Sequence, residues 1–404
     1  MGKELEKFGS EEETLTFDIG KYQDAVVWNT DWTVETLINQ TKKGNIDLNP
    51  NFQRRDAWGF DAKSKLIESL IIGIPVPPII LAEKKEKKNS YIVLDGKQRL
   101  LTINQFFSDI SESDDTLENN DFINFKLKSL DFLKGLNGLN LKEISNSDDP
   151  SFSDYTNSLE NQSIRTIIIK NWPDEEYLYS VFLRLNTGSK PLSAQELRQA
   201  LIPGPFLNYL DEKTSKSDSI KKLLSNNKPD SRMRDVELAL RFYAFYENID
   251  NYDGKLKKFL DDTAININKN WKDKESDIDS IFFLYERSLE LGFTIFGEKA
   301  AFSRYIDDHY ANISNRPIID MLTYFFSIDS IYHMISENKD LFKKRFEDLN
   351  ADEDFKTSVS FTTNNVSSVR IRFNKFIELL NDMQPGIINY QFDIFEGKLI
   401  RRSL

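Results

Sequence analysis

The pattern of apolar and charged residues over 79–107 predicts two short strands, the second of which leads directly into a helix. The apolar runs Ile79–Ala82 and Tyr91–Leu94 are rich in β-branched and aliphatic residues, which favours strands. The lysines and glutamates between them predict a solvated hairpin turn. From about Lys97 the apolar residues recur at helical spacing. From Trp32 to about Phe107 the pattern alternates short helices with short strands.

Flanking segments supply these elements. Thr33 is predicted to cap a helix over Val34–Lys43, and Asp61 to cap a second helix. A third strand is predicted at Ile164–Ile169, and beyond Pro205 the aromatic-rich stretches have helical spacing throughout. The predicted fold class is therefore α+β, with a small sheet in an N-terminal domain that is followed by an all-helical C-terminal domain.

The composition along the chain suggests where the domains begin and end. Residues 1–29 form an acidic N-terminal segment, 30–203 the first domain and 204–404 the helical domain. Within the first domain, residues 108–160 are dominated by Ser, Asp, Asn and Glu, which predicts a variable, partly ordered polar insertion. Near the end of that domain, Ser193-Ala194-Gln195-Glu196 has the pattern of a capping box.

Charge and residue counts exclude several functional classes. The chain has 53 Lys+Arg and 65 Asp+Glu, a net charge of −12, so a wholly basic nucleic-acid-binding surface is not expected. It has no cysteine, which excludes disulfides, thiol catalysis and cysteine-based metal sites. With only His309 and His333, an HNH nuclease or another His-rich metal site is not expected either. Any chemistry must use Asp, Glu, Lys, Arg, Ser, Thr or the backbone.

Apolar runs are too short for a membrane span, and no apolar segment follows the first residues as in a secretion signal. We therefore expect a cytoplasmic protein without a membrane partner.

The segment Tyr91–Leu100 is the first candidate for chemistry. A helix N-terminus presents backbone N–H groups and the positive end of the helix dipole, which suits phosphate. Gly96 would let the backbone approach a ligand, Lys97 and Arg99 would add positive charge, and Asp95 could hold a ribose hydroxyl, Mg²⁺ or an attacking group. Arg99 is expected on the surface of the first helical turn. The alternative is a turn with a capping aspartate.

Two further segments carry candidate residues. Asn49–Trp58 places Arg54 and Arg55 between aromatic residues, and its alternative interpretation is a structural arginine pair. Val181–Gly188 contains Arg184, and its alternative interpretation is a corner between two helices with a glycine C-cap.

Four motifs occur in a fixed order: Phe-Gln-Arg…Trp, Leu-Asp-Gly-Lys-Gln-Arg-Leu, Phe-x-Arg-x-Asn-Thr-Gly and Pro-Leu-Ser-x-Gln-Glu-Leu-Arg. Together they resemble the ParB/sulfiredoxin-like domain of GmrS, the N-terminal half of the GmrSD-type modification-dependent restriction enzymes. The resemblance covers about residues 30–200 through these motifs. It extends more loosely into the helical part through residues 234–237 and 252–256.

The resemblance implies binding and hydrolysis of ATP or GTP with Mg²⁺. Its Asp-Gly-x-Gln-Arg element falls on residues 95–99, and this sequence has Lys97 where the usual pattern has Gln, which leaves binding the firmer expectation. The implied catalytic residues are Asp95 and Gln98, and the implied nucleotide-binding residues are Gly96, Lys97, Arg99, Arg54, Arg55, Arg184, Asn186 and Thr187.

The expected function is that of a nucleotide-binding sensor or regulator in a bacterial DNA-modification or phage-defence system. Its expected partners are an NTP, modified or foreign DNA, and a nuclease on a separate chain. Two alternatives stay open. One is a stand-alone nuclease with an unrecognised carboxylate site, although Glu83-x-Lys85 lacks the upstream acid of a PD-(D/E)xK nuclease. The other is a ParB-like protein whose DNA contact is gated by nucleotide and which performs no DNA chemistry.

Overall fold

The computed structural model describes residues 24–46, 48, 58–109, 123–174, 177–178, 181 and 193–403. These residues form two compact units, and the boundary between the units lies between Leu201 and Ile202. The first unit is mixed α and β and the second is mostly helical, which confirms the predicted α+β fold class.

The first unit contains four strands and six helices among its described residues. In chain order these are β1 Val26–Thr33, α1 Val34–Lys42, α2 Phe60–Ile71, β2 Ile79–Glu83, β3 Tyr91–Asp95, α3 Lys97–Phe106, α4 Leu141–Ser145, α5 Pro150–Asn161, β4 Ser163–Lys170 and α6 Ala194–Leu201.

The four strands form one sheet in the order β1-β4-β2-β3. The pairs β1–β4 and β2–β3 are antiparallel, whereas β2 and β4 run parallel. Because successive strand residues point to opposite faces, Ile168 packs into a large core and Ile169 into a smaller one. The large core includes residues of α1, α2, α3 and α5, and Leu197 of α6 packs into the smaller core.

The predicted strands and helices around the sheet are found, with small differences at their ends. Thr33 caps α1 as predicted, by accepting a hydrogen bond from the backbone N–H of Thr36 at 3.1 Å. Asp61 does not cap α2, because the N-cap residue is Gly59 and Asp61 lies in the first turn. Strand β1 was not predicted. Most of its residues are exposed, so it lacks the apolar run by which the other strands were recognised.

Residues of the polar segment 108–160 contribute to the core of the first unit over the described part of that segment. Phe125, Leu127 and Leu136 from this segment lie in the large core. Glu68 of α2 is buried and accepts hydrogen bonds from the backbone N–H groups of residues 131–133 at 3.1, 2.7 and 2.7 Å. A few apolar residues and one buried carboxylate therefore anchor this mostly polar segment to the core of the first unit.

The second unit contains ten helices and two hairpins among its described residues. The helices are α7 Pro205–Lys216, α8 Asp218–Leu223, α9 Arg234–Asn248, α10 Leu256–Lys269, α11 Trp271–Phe296, α12 Arg316–Phe326, α13 Asp329–Glu337, α14 Lys339–Asn350, α15 Glu353–Ser358 and α16 Val366–Met383. The hairpins pair β5 Ser303–Ile306 with β6 His309–Ser314, and β7 Tyr390–Phe395 with β8 Lys398–Ser403. The prediction of an all-helical second domain was therefore wrong at these two hairpins.

A buried ion pair joins two helices of the second unit. The guanidinium of Arg241 on α9 donates two hydrogen bonds to the carboxylate of Asp320 on α12, and both residues are buried. Arg372 on α16 is also buried and donates to the carbonyl oxygens of Ser358 and Thr363, and burial lowers its pKa to about 10. Among the described helices, none has the length and hydropathy needed to cross a membrane.

Candidate functional site

Gly96 forms the turn between β3 and α3. Its φ of +93° and ψ of 9° place it in the left-handed region, which residues with a Cβ adopt at a cost. A Cβ added there would lie 3.0 Å from Cγ1 and 3.2 Å from Cα of Ile79, the first residue of β2. The turn therefore requires glycine for two reasons, its backbone conformation and its close approach to β2.

Arg99 holds this turn together from inside α3. Its Nη2 donates to Oδ2 of Asp95 at 2.9 Å and to the carbonyl oxygen of Pro78 at 3.0 Å. The guanidinium therefore joins the end of β3 to the residue that precedes β2. Arg99 is only 9% exposed, so the expectation that it lies on the surface of the first turn was wrong.

The N-terminus of α3 has no side-chain cap. Its N-cap residue is Gly96, which has no side chain that could accept a hydrogen bond from the first turn. Asp95 accepts from the Arg99 side chain instead, so the alternative of a capping aspartate is wrong. The first helical turn lacks intrahelical acceptors for its N–H groups, so this end of the helix can still bind an anion.

Two buried polar atoms in the first turn of α3 have no hydrogen-bond partner among the described residues. They are Oε1 of Gln98 and Nε of Arg99. An unpaired buried donor or acceptor costs about 1 to 3 kcal/mol, so such atoms often mark a place where a ligand or water binds. Asp95 keeps about a third of its side chain exposed, and the side chain of Lys97 is buried.

Helix α6 packs against β3 and brings a fourth motif to the same part of the sheet. Ser193 and Glu196 form the predicted capping box, with N–H···O distances of 2.6 and 3.1 Å. Gln195 is fully buried and its Oε1 accepts from Nη1 of Arg198 at 2.6 Å, whereas its Nε2 has no partner among the described residues. Gln195 and Arg198 were not proposed as site residues from the sequence, although the motif Pro-Leu-Ser-x-Gln-Glu-Leu-Arg contains them.

The structure brings together only part of the predicted set. Asp95, Gly96, Lys97, Gln98 and Arg99 occupy one strand–turn–helix segment. Arg54, Arg55, Arg184, Asn186 and Thr187 lie outside the described residues.

Glu83 and Lys85, the pair with nuclease-like spacing, both have structural contacts. An Oε1 atom of Glu83 accepts from the backbone N–H of Asn89 at 3.0 Å and so closes the hairpin turn. Lys85 donates to the carbonyl oxygen of Pro173 at 2.5 Å, and its ammonium lies 4.2 Å from the ring centre of Trp172. This arrangement matches the predicted hairpin turn and gives no support to a nuclease site at this pair.

A cleft of about 240 Å³ lies in the second unit, and its lining contains none of the predicted site residues. Half of its polar side chains come from α10. The lining consists of Asn248, Asn251, Asp253, Lys258, Phe259, Asp262, Thr263, Asn266 and Lys398.

Comparison with known families gives one match. Residues 34–203 match the family described as GmrSD restriction endonuclease, N-terminal domain. The match includes β2, β3, α3 and α6, and hence every described residue of the candidate site. No curated protein matches the chain significantly.

Proposed function

We propose that this chain is a nucleotide-binding regulator in a restriction system, since its residues 34–203 match the family of N-terminal domains of GmrSD restriction endonucleases. The observation that carries the proposal is the turn at Gly96. There an uncapped helix N-terminus, a buried arginine and two unpartnered polar atoms lie within five consecutive residues.

The proposed ligand is ATP or GTP, with its phosphates at the N-terminus of α3. Backbone N–H groups of the first turn would donate to phosphate oxygens, as they do at other helix N-termini that bind anions. The free Nε of Arg99 would donate to the same anion. Gln98 can accept and donate, so it suits the positioning of a water molecule for attack on the terminal phosphate.

Asp95 and Arg99 form a switchable pair in this proposal. In the structure the carboxylate of Asp95 accepts from Arg99 at 2.9 Å. A phosphate would compete for the same guanidinium, and the carboxylate released by this exchange would be free for another ligand. Arg99 also donates to the carbonyl oxygen of Pro78, so a movement of its guanidinium would change the contacts at the start of β2.

Mg²⁺ suits this site as a partner of the nucleotide. Within the described residues, no three His, Cys, Asp or Glu side chains are close enough to form a metal site of their own. Mg²⁺ in nucleotide sites is commonly held by one or two carboxylates together with phosphate and water oxygens. Asp95 would supply that carboxylate, and the bound ion would neutralise phosphate charge.

The regulator would act in a restriction system on modified or foreign DNA, with cleavage performed by a nuclease on a separate chain. Nucleotide binding or hydrolysis would change the packing at the β2–β3 edge of the sheet. Such ligand-driven rearrangement of a segment is a common form of switch.

Titration calorimetry with ATP and GTP, each with Mg²⁺, tests the proposal on the wild type and on Gln98→Glu. This substitution is nearly isosteric, and a glutamate in the first turn favours the helix itself. It places a negative charge beside the proposed phosphates, so we expect affinity to fall about tenfold or more.

Gln391→Glu is the matched control, because Gln391 is exposed on β7 and undergoes the same change in charge. We expect wild-type affinity for this variant. The proposal fails if the wild type binds neither nucleotide, or if Gln98→Glu binds as tightly as the control.

A further inference from the structure

The two edges of the four-stranded sheet differ. At the β3 edge, the backbone N–H of Tyr91 donates to the carbonyl oxygen of Asn45 at 2.6 Å, and Ile46 forms a bridge with Tyr91. At the other edge, β1 pairs with β4 on one side only, as far as the described residues show. An eight-residue strand therefore keeps one row of backbone donors and acceptors available.

The apolar residues of β1 are exposed on both faces of the sheet. Val26, Val27 and Trp28 are 50%, 55% and 50% exposed. Trp28 lies opposite Ile168 and Val27 opposite Ile169, and these two isoleucines belong to the cores on opposite faces. A helix that lay on one face would cover only half of this apolar surface. A strand added at the edge would contact both faces at once.

Strand β1 also lacks the features that natural edge strands use against pairing. It has no lysine, proline or glycine from Val26 to Thr33. Its only charged residue is Asp31, which pairs with Arg165 of β4 at 2.7 Å. The charge that could oppose an added strand is therefore already neutralised within the sheet.

We propose that β1 pairs antiparallel with β1 of a second copy of this chain and joins the two sheets into one. The two copies would be related by a two-fold axis perpendicular to the sheet, so each residue stays on the same face of the joined sheet. In the proposed register, Trp28 of one copy lies opposite Trp28 of the other. Val26 of one copy then lies opposite Thr30 of the other, and Asp31 opposite Ala25. No like charges face each other, so the strand is complementary to itself.

Sedimentation of the full chain at micromolar concentration tests this pairing, with Trp28→Lys and Trp28→Glu as variants. The wild type is expected to be a dimer. Each variant alone is expected to be a monomer, because like charges would meet at the centre of the interface. An equimolar mixture of the two variants should restore a dimer, since lysine then faces glutamate.

Phe132→Lys is the control, because Phe132 is 70% exposed on a loop of the same unit and should leave the dimer intact. Circular dichroism of each variant establishes that it is folded. A monomeric wild type, or a folded Trp28→Lys variant that stays dimeric, would overturn the proposal.

A chain shortened to begin at Asp24 tests the other candidate occupant of the edge, the segment 1–23. We expect the shortened chain to dimerise as the full chain does. If only the shortened chain dimerises, the segment 1–23 covers the edge in the intact protein and the proposal is wrong. Nucleotide affinity is measured separately, so this outcome leaves the proposed function unaffected.

Discussion

At the scale of single residues, Arg99 has a structural role that the sequence did not indicate. It joins the ends of β2 and β3 through Pro78 and Asp95, and its Nε has no hydrogen-bond partner among the described residues. Its removal would therefore affect both folding and any anion bound there. This is why the isosteric change Gln98→Glu tests ligand binding more cleanly than Arg99→Ala.

Gly96→Ala should lower the free energy of unfolding by about 3 kcal/mol or more. The left-handed backbone costs an alanine about 1 to 2 kcal/mol, and the contact of its Cβ with Ile79 adds to this. Gly44→Ala is the control, because Gly44 has a φ of +68° but no atom within 4 Å of an added Cβ. Denaturant unfolding of both variants measures the difference. Equal losses would show that Ile79 does not restrict the turn.

At the scale of elements, periodicity predicted those strands and helices that bury an apolar face. Strands β2, β3 and β4 were found because most of their residues are buried, whereas the exposed edge strand β1 was missed. Composition did not indicate how residues 123–160 pack, because their packing depends on contacts that are distant in sequence. The bonds from the Glu68 carboxylate to residues 131–133 are an example that no local pattern indicates.

Glu68→Gln should destabilise the first unit by about 2 to 3 kcal/mol, because the buried carboxylate accepts three backbone hydrogen bonds and an amide cannot accept with both of its heavy atoms. The substitution should also loosen the structure locally, around the three backbone N–H groups that lose their acceptor. Hydrogen exchange should rise at residues 131–133 before it rises in the sheet. Glu35→Gln, an exposed change on α1, should alter neither quantity. A fully stable Glu68→Gln variant would contradict this account of the segment.

The start of α9 should show a pH dependence that comes from Asp230. Burial raises the pKa of this carboxyl, but hydrogen bonds and charge from Arg234 prevail and hold it below its ordinary value. A lowered pKa in the folded state contributes stability above the unfolded pKa of about 3.9, and this contribution is lost as the pH falls through the folded value.

Asp230→Asn should therefore cost about 2 kcal/mol at pH 7, and its difference from the wild type should shrink below about pH 4. Asp277→Asn, an exposed change on α11 of the same unit, is the control and should cost little at either pH. Unfolding measured across this range checks the prediction. A difference from the wild type that is constant with pH would contradict it.

At the scale of the whole molecule, the sequence predicted the α+β class and the strand–turn–helix segment at residues 91–100. Motif order pointed to the family, and the match over residues 34–203 agrees with it. The two hairpins of the second unit were missed because each strand is only four to six residues long and partly exposed. Such strands are stabilised by pairing and by packing against neighbouring helices, which sequence periodicity does not report.

The central claim is that nucleotide phosphates bind at the N-terminus of α3, and hydrogen–deuterium exchange with and without ATP·Mg²⁺ or GTP·Mg²⁺ tests it most directly. We predict that the nucleotide slows exchange in peptides that cover residues 91–100. Adenosine or guanosine, which lack phosphate, should give little protection there, and Gln98→Glu should need a higher nucleotide concentration than the wild type to reach the same protection. Nucleotide-dependent protection that appears only elsewhere in the chain, or none at residues 91–100 under saturating nucleotide, would contradict the account.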